Sequence, residues 1–426
     1  MKLLSKKIFS AVSILLMVIL ITPLVSFGDT VVELQNKIDQ KNNEIDKLEA
    51  EIAQYQKDLV TIGDQKDTLA NTVKSLELTS KKLSADISVT QKKIESQSLT
   101  IQGLEGDIYN TDESLNQNYS AIEKNIRFMN ISENITLLEK ILTSRDLAEA
   151  VEEYGSISQF TNAVHAHTNS LKDLKQHLTD SKIKEELAKS DLEKLKKELS
   201  YQKTIADNNK TEQNKLLKAT QNKESEYQKI LAQRIKQKEE FEQEIFEYES
   251  SLEYLLDPSK LPKTGVGALK WPLQSIYITQ YFGKTIDAKR LYVSGTHNGV
   301  DFRAAVGTKV FSVRSGVVKG IGDTDAQSGC YSYGKWILIE HDNGVSTIYG
   351  HMSAITVKAG DSVTTGQVIG YSGNTGYTTG PHLHLTVVAS DAVSVQKYTA
   401  SKYCKLVYIP VASSKAYLDP MLYLGD

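Results

Sequence analysis

The chain has 426 residues, with 53 acidic against 50 basic side chains and hydrophobic residues making up 40%. That length allows two or three domains, at least one with a sizeable core. Balanced charge, without a basic stripe interleaved with aromatics, excludes nucleic-acid binding through a strong positive field.

The opening segment, MKLLSKKIFSAVSILLMVILITPLVSFGDT, sets Lys2, Lys6 and Lys7 before an apolar run from Ile8 to Val25. Ser26 and Gly28 are small residues at the −3 and −1 positions of a cut before Asp29. The pattern predicts a secretory signal peptide over 1–28, and hence an extracytoplasmic protein: secreted, periplasmic or associated with the cell wall. An uncleaved membrane anchor is the alternative, because the apolar run approaches spanning length.

From Ile38 an apolar residue returns every seven positions as far as Met129, interrupted only at Lys66 and Ser80. A strict seven-residue period winds the apolar stripe of a helix into a supercoil, which predicts a coiled coil. A second series runs through Leu171, Leu174, Leu178, Leu192, Leu195 and Leu199, and returns as Phe241, Ile245, Tyr248, Leu252 and Leu255. Two arms of about 90 residues predict an antiparallel hairpin over 29–256, each arm on the order of 140 Å long. A parallel dimer through the first arm is the competing arrangement. Between the arms, NITLLEKILTSRDLAEAVEEYGSISQF (134–160) is denser in apolar residues and breaks the heptad. It predicts a small helical tip near 130–165 that offers a docking face; a hairpin cap without a partner is the bland reading.

Prolines and glycines in LDPSKLPKTGVGALKWP predict a linker over 257–270. Its LPKTG resembles a sortase anchoring signal, but a whole domain follows where an apolar span should stand, so anchoring is rejected. From Trp271 glycines crowd in and short β-rich runs recur, among them KVFSVRSGVV, KWILIEH, VSTIYGH and HLHLTVV. They predict an antiparallel all-β domain over 271–426. The fold class is therefore multidomain, a long α-helical coiled-coil hairpin followed by an antiparallel β domain. In an exported chain a disulfide between Cys330 and Cys404 is favoured over two unpaired thiols, and their spacing matches no zinc motif.

Two His-x-His pairs compete as a metal site. On a strand, His382 and His384 of GPHLHLTVV point to one face with Thr386, while Leu383, Leu385 and Val387 turn to the core. His165 and His167 of VHAHT lie in a helical region, where an i, i+2 pair diverges by about 200°. The first pair is predicted to be a site and the second to be surface. THNGVDF sets His297 and Asp301 four apart, on one face if extended, with Gly299 leaving room for an ion. IYGHMS supplies His351 at the end of a strand. A lone histidine is more often structural than a ligand; together these residues predict an open zinc site with spare imidazoles. His341, before an Asn-Gly turn, reads as structural, and His177 as solvated.

The segments WPL, ITQYFG, HNGVDF, GTKV, SGVV, YGHMS, VKAGDSVTTGQVIGYSGNTGYTTGPHLHL and YLDPMLYL resemble, in order, the lysostaphin-like (LytM-type) zinc endopeptidases that cut bacterial peptidoglycan. The resemblance covers essentially all of 271–426. It implies that His297, Asp301 and His384 bind Zn2+, with water as the fourth ligand, and that His351 and His382 are the unligated catalytic pair. The resemblance also offers Tyr292, loosely aligned, as a candidate further oxyanion donor. Two departures, DTDAQSGCYSYG and DAVSVQKYTASKYCKLVYIPVASSKA, carry one cysteine each, which fits the bridge. The coiled-coil half is similar to hairpin proteins of cell division that carry the same kind of C-terminal domain, the EnvC-like murein hydrolase activators. That second resemblance is less specific, since heptads converge easily; it implies control at the tip by a membrane complex resembling an ABC transporter. The expected function is a secreted zinc endopeptidase acting on peptidoglycan peptides and regulated through its hairpin. The alternative is a non-catalytic activator of another cell-wall hydrolase.

Overall fold

The computed structural model describes residues 31–63, 68–132, 147–252, 254, 257–263, 267–399 and 401–425. The predicted signal peptide and residues 133–146 of the predicted helical tip lie outside the described residues. No helix among the described residues is long and apolar enough to cross a membrane. They divide into two compact units, one within Met1–Glu44 and Lys93–Glu193, the other within Ile45–Lys92 and Lys194–Asp426.

Among the described residues four long helices carry the heptads: α1 (Val31–Gly63), α2 (Leu69–Ser132), α3 (Leu147–Thr220) and α4 (Glu224–Ser251). In the first unit α2 and α3 run antiparallel. Gln97 Nε2 donates to Ala188 O at 3.2 Å, Ser181 Oγ to Asp107 Oδ2 at 2.8 Å, and Asn118 Oδ1 meets His167 Nδ1 at 3.1 Å. The first arm is not one helix, however. It breaks at Gly63, and α1 lies antiparallel on α2, with Lys41 paired to Glu95 at 2.8 Å. Glycine is the weakest non-proline helix former, so the break falls where the helix is least supported.

The second unit holds the other ends of the helices and the β domain. Asn209 Nδ2 donates to Leu76 O at 3.1 Å, continuing the α2–α3 pairing. Between α3 and α4, Gln221 and Asn222 take φ values of 50° and 60°, a left-handed step that ends one helix and starts another. As a result the heptad residues of α4 do not pair with the first arm. Phe241, Ile245, Tyr248 and Leu252 instead pack on Cys330, Cys404, Val407, Ile409 and Val411 of the β domain. A heptad shows that a helix has a partner for its stripe, and here a β surface supplies it.

Among the described residues twelve strands follow: β1 (Ile278–Gln280), β2 (Val300–Arg303), β3 (Lys309–Phe311), β4 (Gly316–Asp323), β5 (Lys335–His341), β6 (Val345–Ile355), β7 (Ser362–Val363), β8 (Val368–Ser372), β9 (His382–Ala389), β10 (Val393–Lys397), β11 (Tyr408–Ala412) and β12 (Tyr417–Leu418). The main sheet has the order β1-β2-β9-β6-β5-β4-β7, with antiparallel pairing throughout. Central strands are buried on both faces, which explains runs such as KWILIEH that do not alternate cleanly. One face packs Phe302, Ile339, Leu383 and Leu385 into the larger core, and the other packs Trp336, Leu338, Ile348 and Val388. Each such side chain contributes roughly 1.5–3 kcal/mol relative to exposure. β10 and β11 form a separate hairpin. The Cys330–Cys404 disulfide is present and ties the loop before β5 to the segment before β11.

Candidate metal centre

β9 is the floor of the site. Leu383, Leu385 and Val387 are fully buried, so alternation turns His382, His384 and Thr386 the other way. β2 pairs beside it with Asp301 opposite His384 and Arg303 opposite His382. On the other side β6 places Gly350 opposite His384 and delivers His351 next. His351 stands inside β6 rather than at its end, and its φ of 60° marks a kink that re-aims its ring. A left-handed conformation at a bulky residue costs about 1–3 kcal/mol, and such strain gathers where a side chain must be aimed. His297 precedes β2 and is fixed by a bridge to Gly283.

Three acceptors meet in this floor. Asp301 Oδ1 is 2.9 Å from His384 Nδ1 and 3.4 Å from His297 Nε2, and those two nitrogens are 3.1 Å apart. All three residues are buried, and they form a group that could hold a metal ion. The second nitrogen of each ring is held elsewhere. His297 Nδ1 donates to Tyr281 O at 3.1 Å, and His384 Nε2 meets Thr386 Oγ1 at 2.8 Å. Because a carbonyl only accepts, His297 Nε2 is the bare lone pair when the ring is neutral. Burial pushes the Asp301 carboxyl up, but His382, His297 and His384 outweigh it and hold it well below the ordinary range. Burial pushes the His384 imidazole down, toward the neutral form a metal requires.

Zinc fits this set. Tetrahedral bonds of about 2.0–2.1 Å hold ligand atoms roughly 3.3 Å apart, close to the spacing found, and His/Asp ligation with outer hydrogen bonds to each imidazole suits the ion. Three acceptors so close also repel one another unless a cation, or a proton, stands among them.

His351 and His382 lie beside the group, ring centroids 4.6 Å apart. His351 Nδ1 donates to Thr375 O and His382 Nδ1 to Gly380 O, both at 2.8 Å. Each ring therefore carries its lone pair on Nε2 when neutral, and His382 Nε2 is 3.6 Å from Asp301 Oδ1. Burial, with His382 and His384 adding to it, holds His351 well below the ordinary imidazole range. The five residues singled out by spacing thus converge.

Several others were not legible. Tyr333, in the cysteine-bearing insertion, lies 5.7 Å from the His384 ring and accepts from Asn298 Nδ2 at 2.9 Å. Tyr292, already named above as an oxyanion donor, stacks on His297 with ring centroids 5.2 Å apart. Over Tyr292 sits Lys238 of α4, its Nζ 5.0 Å from that ring and 5.1 Å from the Tyr377 ring, while also donating to Leu291 O and pairing with Glu242 at 2.9 Å. No spacing rule connects position 238 to 292. At Gly299 a Cβ would stand 2.6 Å from Leu385 O and 2.7 Å from His384 Cε1, so its missing side chain makes room for the His384 ring.

The remaining histidines are elsewhere. His341 is held between Ser315 O and Thr347 Oγ1, and burial lowers it to about 4. His165 is exposed on α3, and His167 bonds Asn118. His177 is more than half exposed, beside Thr111 and Asp107.

Residues 295–396 match peptidase family M23. Among curated proteins, the chain is 37% identical over 130 residues to the peptidoglycan DD-endopeptidase ShyA of Vibrio cholerae, covering 30% of this chain and 29% of that one. It is 45% identical over 91 residues to lysostaphin of Staphylococcus simulans, covering 21% and 17%. Among solved structures, the catalytic domain of lysostaphin from Staphylococcus simulans is 29% identical, covering 34% of this chain and 90% of that chain, with a TM-score of 0.26. A zinc-containing peptidase from Vibrio cholerae is 34% identical, covering 28% and 36%, with a TM-score of 0.25. The chain thus spans less than a third of the length of these two curated relatives.

Proposed function

We propose, from the family M23 peptidase domain at 295–396, that the chain is a zinc-dependent endopeptidase hydrolysing peptide bonds of bacterial peptidoglycan outside the cytoplasm. The observation that carries this reading is the buried trio of acceptors, His297, Asp301 and His384, flanked by two imidazoles that both bare Nε2. A zinc ion held by that trio would acidify a water and polarise the scissile carbonyl. His382 then takes the proton of the attacking water at Nε2, and His351, after taking up a proton at its own bare Nε2, stabilises the developing oxyanion or protonates the leaving amine. The Thr375 and Gly380 carbonyls keep both rings in the tautomer that leaves Nε2 open to a proton. Tyr292, stacked on His297, fixes the plane of that ligand.

Regulation by the hairpin belongs to the same proposal. Leu83 of α2 and Ile205 of α3 are buried against Val306, Ala354 and Tyr371 of the β domain, and Lys82 Nζ donates to Val306 O at 3.1 Å. On another side α4 reaches the Tyr292 loop through Lys238 and Glu242. Asp301 and His382 open on a cavity of about 1680 Å3 that α2, α3 and α4 help to wall. These contacts support a catalytic domain restrained by its own coil, released when a partner engages the tip. A membrane complex resembling an ABC transporter is the partner implied by the cell-division resemblance.

Digestion of purified peptidoglycan by the zinc-loaded chain, with mass spectrometry of the new termini, tests the activity. New amino and carboxyl termini that vanish with a chelator and return with zinc are expected. Stoichiometric zinc without cleavage, even after the coil is removed, would instead favour an activator of another hydrolase.

A further inference from the structure

Tyr333 is a node with no part in the reaction proposed above. Its carbonyl accepts from His351 N at 2.7 Å and so holds the kinked residue of β6. Its ring lies 5.7 Å from the His384 ring, and a Cβ on Gly350 would stand 3.3 Å from it. Its hydroxyl accepts from Asn298 Nδ2 at 2.9 Å, and the side chains of Tyr417 and Thr386 hydrogen-bond to the same hydroxyl. Asn298 follows His297 in the chain, and Thr386 Oγ1 meets His384 Nε2 at 2.8 Å. Tyr417 in turn reaches the coil, where its OH donates to Glu249 Oε1 of α4 at 2.5 Å. Ser414 N donates to the Glu249 carbonyl at 3.2 Å, which fixes the backbone of α4 at this point.

These contacts form one chain of donors and acceptors, from His384 through Thr386, Tyr333 and Tyr417 to Glu249. Its polarity follows from its coil end. Glu249 Oε1 accepts from Tyr417 OH and, at 3.4 Å, from Ala412 N; a proton on that carboxyl would sit on Oε2, so Oε1 stays an acceptor. The hydroxyl hydrogen of Tyr417 is thereby committed to Glu249, and its oxygen is left to accept from Tyr333. The same step repeats: Tyr333 donates to Tyr417 and takes the hydrogen of Thr386. Thr386 Oγ1 can then only accept from His384 Nε2. Thr386 is fully buried, which leaves Nε2 this partner rather than bulk water. With its hydrogen on Nε2 the neutral ring bares Nδ1, the nitrogen 2.9 Å from Asp301 Oδ1. Asp301 alone would draw the hydrogen to Nδ1 and block that ligand atom; the chain pulls it to Nε2.

We propose that Glu249 of α4 is a positioning residue of the metal centre, holding His384 through Tyr417, Tyr333 and Thr386 in the tautomer that bares Nδ1. Hydrogen-bonded partners of this kind fix the orientation of a ligating imidazole and raise its basicity. The coil is then a part of the metal site as well as its restraint. The inference rests on the reading of His297, Asp301 and His384 as metal ligands, but not on turnover, because metal affinity is measurable without it.

The test measures zinc affinity of the full chain by competition with a chromogenic chelator. Glu249→Leu and Tyr417→Phe should each weaken zinc binding about tenfold or more, the usual cost of losing such a partner. Glu249→Gln keeps a carbonyl acceptor at the same place and should stay within about twofold of the parent. The double variant Glu249→Leu/Tyr417→Phe should bind about as weakly as either single one, since a chain once broken is not broken again. Circular dichroism checks the fold; if Glu249→Leu unfolds, Tyr417→Phe and Thr386→Val carry the comparison. Parent-like affinity in the leucine and phenylalanine variants would overturn the chain. So would equal losses in Glu249→Leu and Glu249→Gln, or losses that multiply in the double variant. A parent that takes up no stoichiometric zinc would sink the metal centre and this inference together. The expected pattern of affinities in a protein that cuts no peptidoglycan would uphold the chain and sink only the peptidase reading.

Discussion

At the scale of single residues, the two imidazoles of β9 are proposed for opposite tasks although they sit two positions apart. His384 Nδ1 faces Asp301 and His297, whereas His382 shows Nε2 to the space beside them. His384→Ala should abolish stoichiometric zinc binding, read by metal analysis of the purified protein. His382→Ala should keep the ion and lose about 10²–10⁴-fold in turnover, the usual contribution of a general base. Retained turnover in either variant contradicts these roles. Strand alternation made this pair legible, because a period of two needs no knowledge of the rest of the fold. The Tyr292–His297 stack and the approach of Tyr333 were not legible. They depend on where loops of irregular backbone come to rest, and Gly299 could be understood only once the His384 ring lay against it.

At the scale of elements, α4 shows both what a heptad reveals and what it hides. Its apolar stripe was plain, but its partner is the β10–β11 side of the domain rather than the first arm. Periodicity records that a face is buried and is silent about what covers it. The left-handed pair at Gln221 and Asn222, two polar residues among many, carried no pattern that would have given the reversal away. This packing half-buries Glu249, which accepts from Tyr417 OH at 2.5 Å and Ala412 N at 3.4 Å. Burial, opposed by these two hydrogen bonds, raises its carboxyl to about 7 from an ordinary 4.5. The folded state therefore holds this proton more tightly than the unfolded chain does. Its contribution is complete below about 4.5 and is lost as pH rises through 7, on the order of 3 kcal/mol at about 1.4 per pKa unit. His341, lowered to about 4 by burial, slopes the other way and loses stability as pH falls from about 6.5. The prediction is therefore a difference: Glu249→Gln should gain in melting temperature over the parent as pH rises from 5 to 7.5. Parallel curves would show that Glu249 does not titrate in this window.

At the scale of the whole molecule, the unit that holds the candidate metal centre also holds segments from both arms of the coil. Leu83 is fully buried at that junction, and Lys309 pairs with Glu198 at 2.8 Å beside it. Placing a charge at Leu83 should loosen the junction, since an unpaired buried charge is costly. Leu83→Glu is expected to release labelled peptidoglycan fragments faster than the parent chain, by severalfold, with KM falling as the cleft opens. An unchanged rate would mean that the junction supports the enzyme without restraining it.

The disulfide has a consequence in time. It joins the loop bearing Tyr333, whose ring lies 5.7 Å from that of the candidate ligand His384, to the segment on which α4 rests, 74 positions away in the chain. Closing so wide a loop limits the unfolded ensemble and contributes about 2–5 kcal/mol, but only where thiols oxidise. Newly made chains in reducing surroundings would lack this stitch and hold the insertion loosely. On the proposed extracytoplasmic reading, the candidate metal centre would gain this support only on arrival in an oxidising compartment.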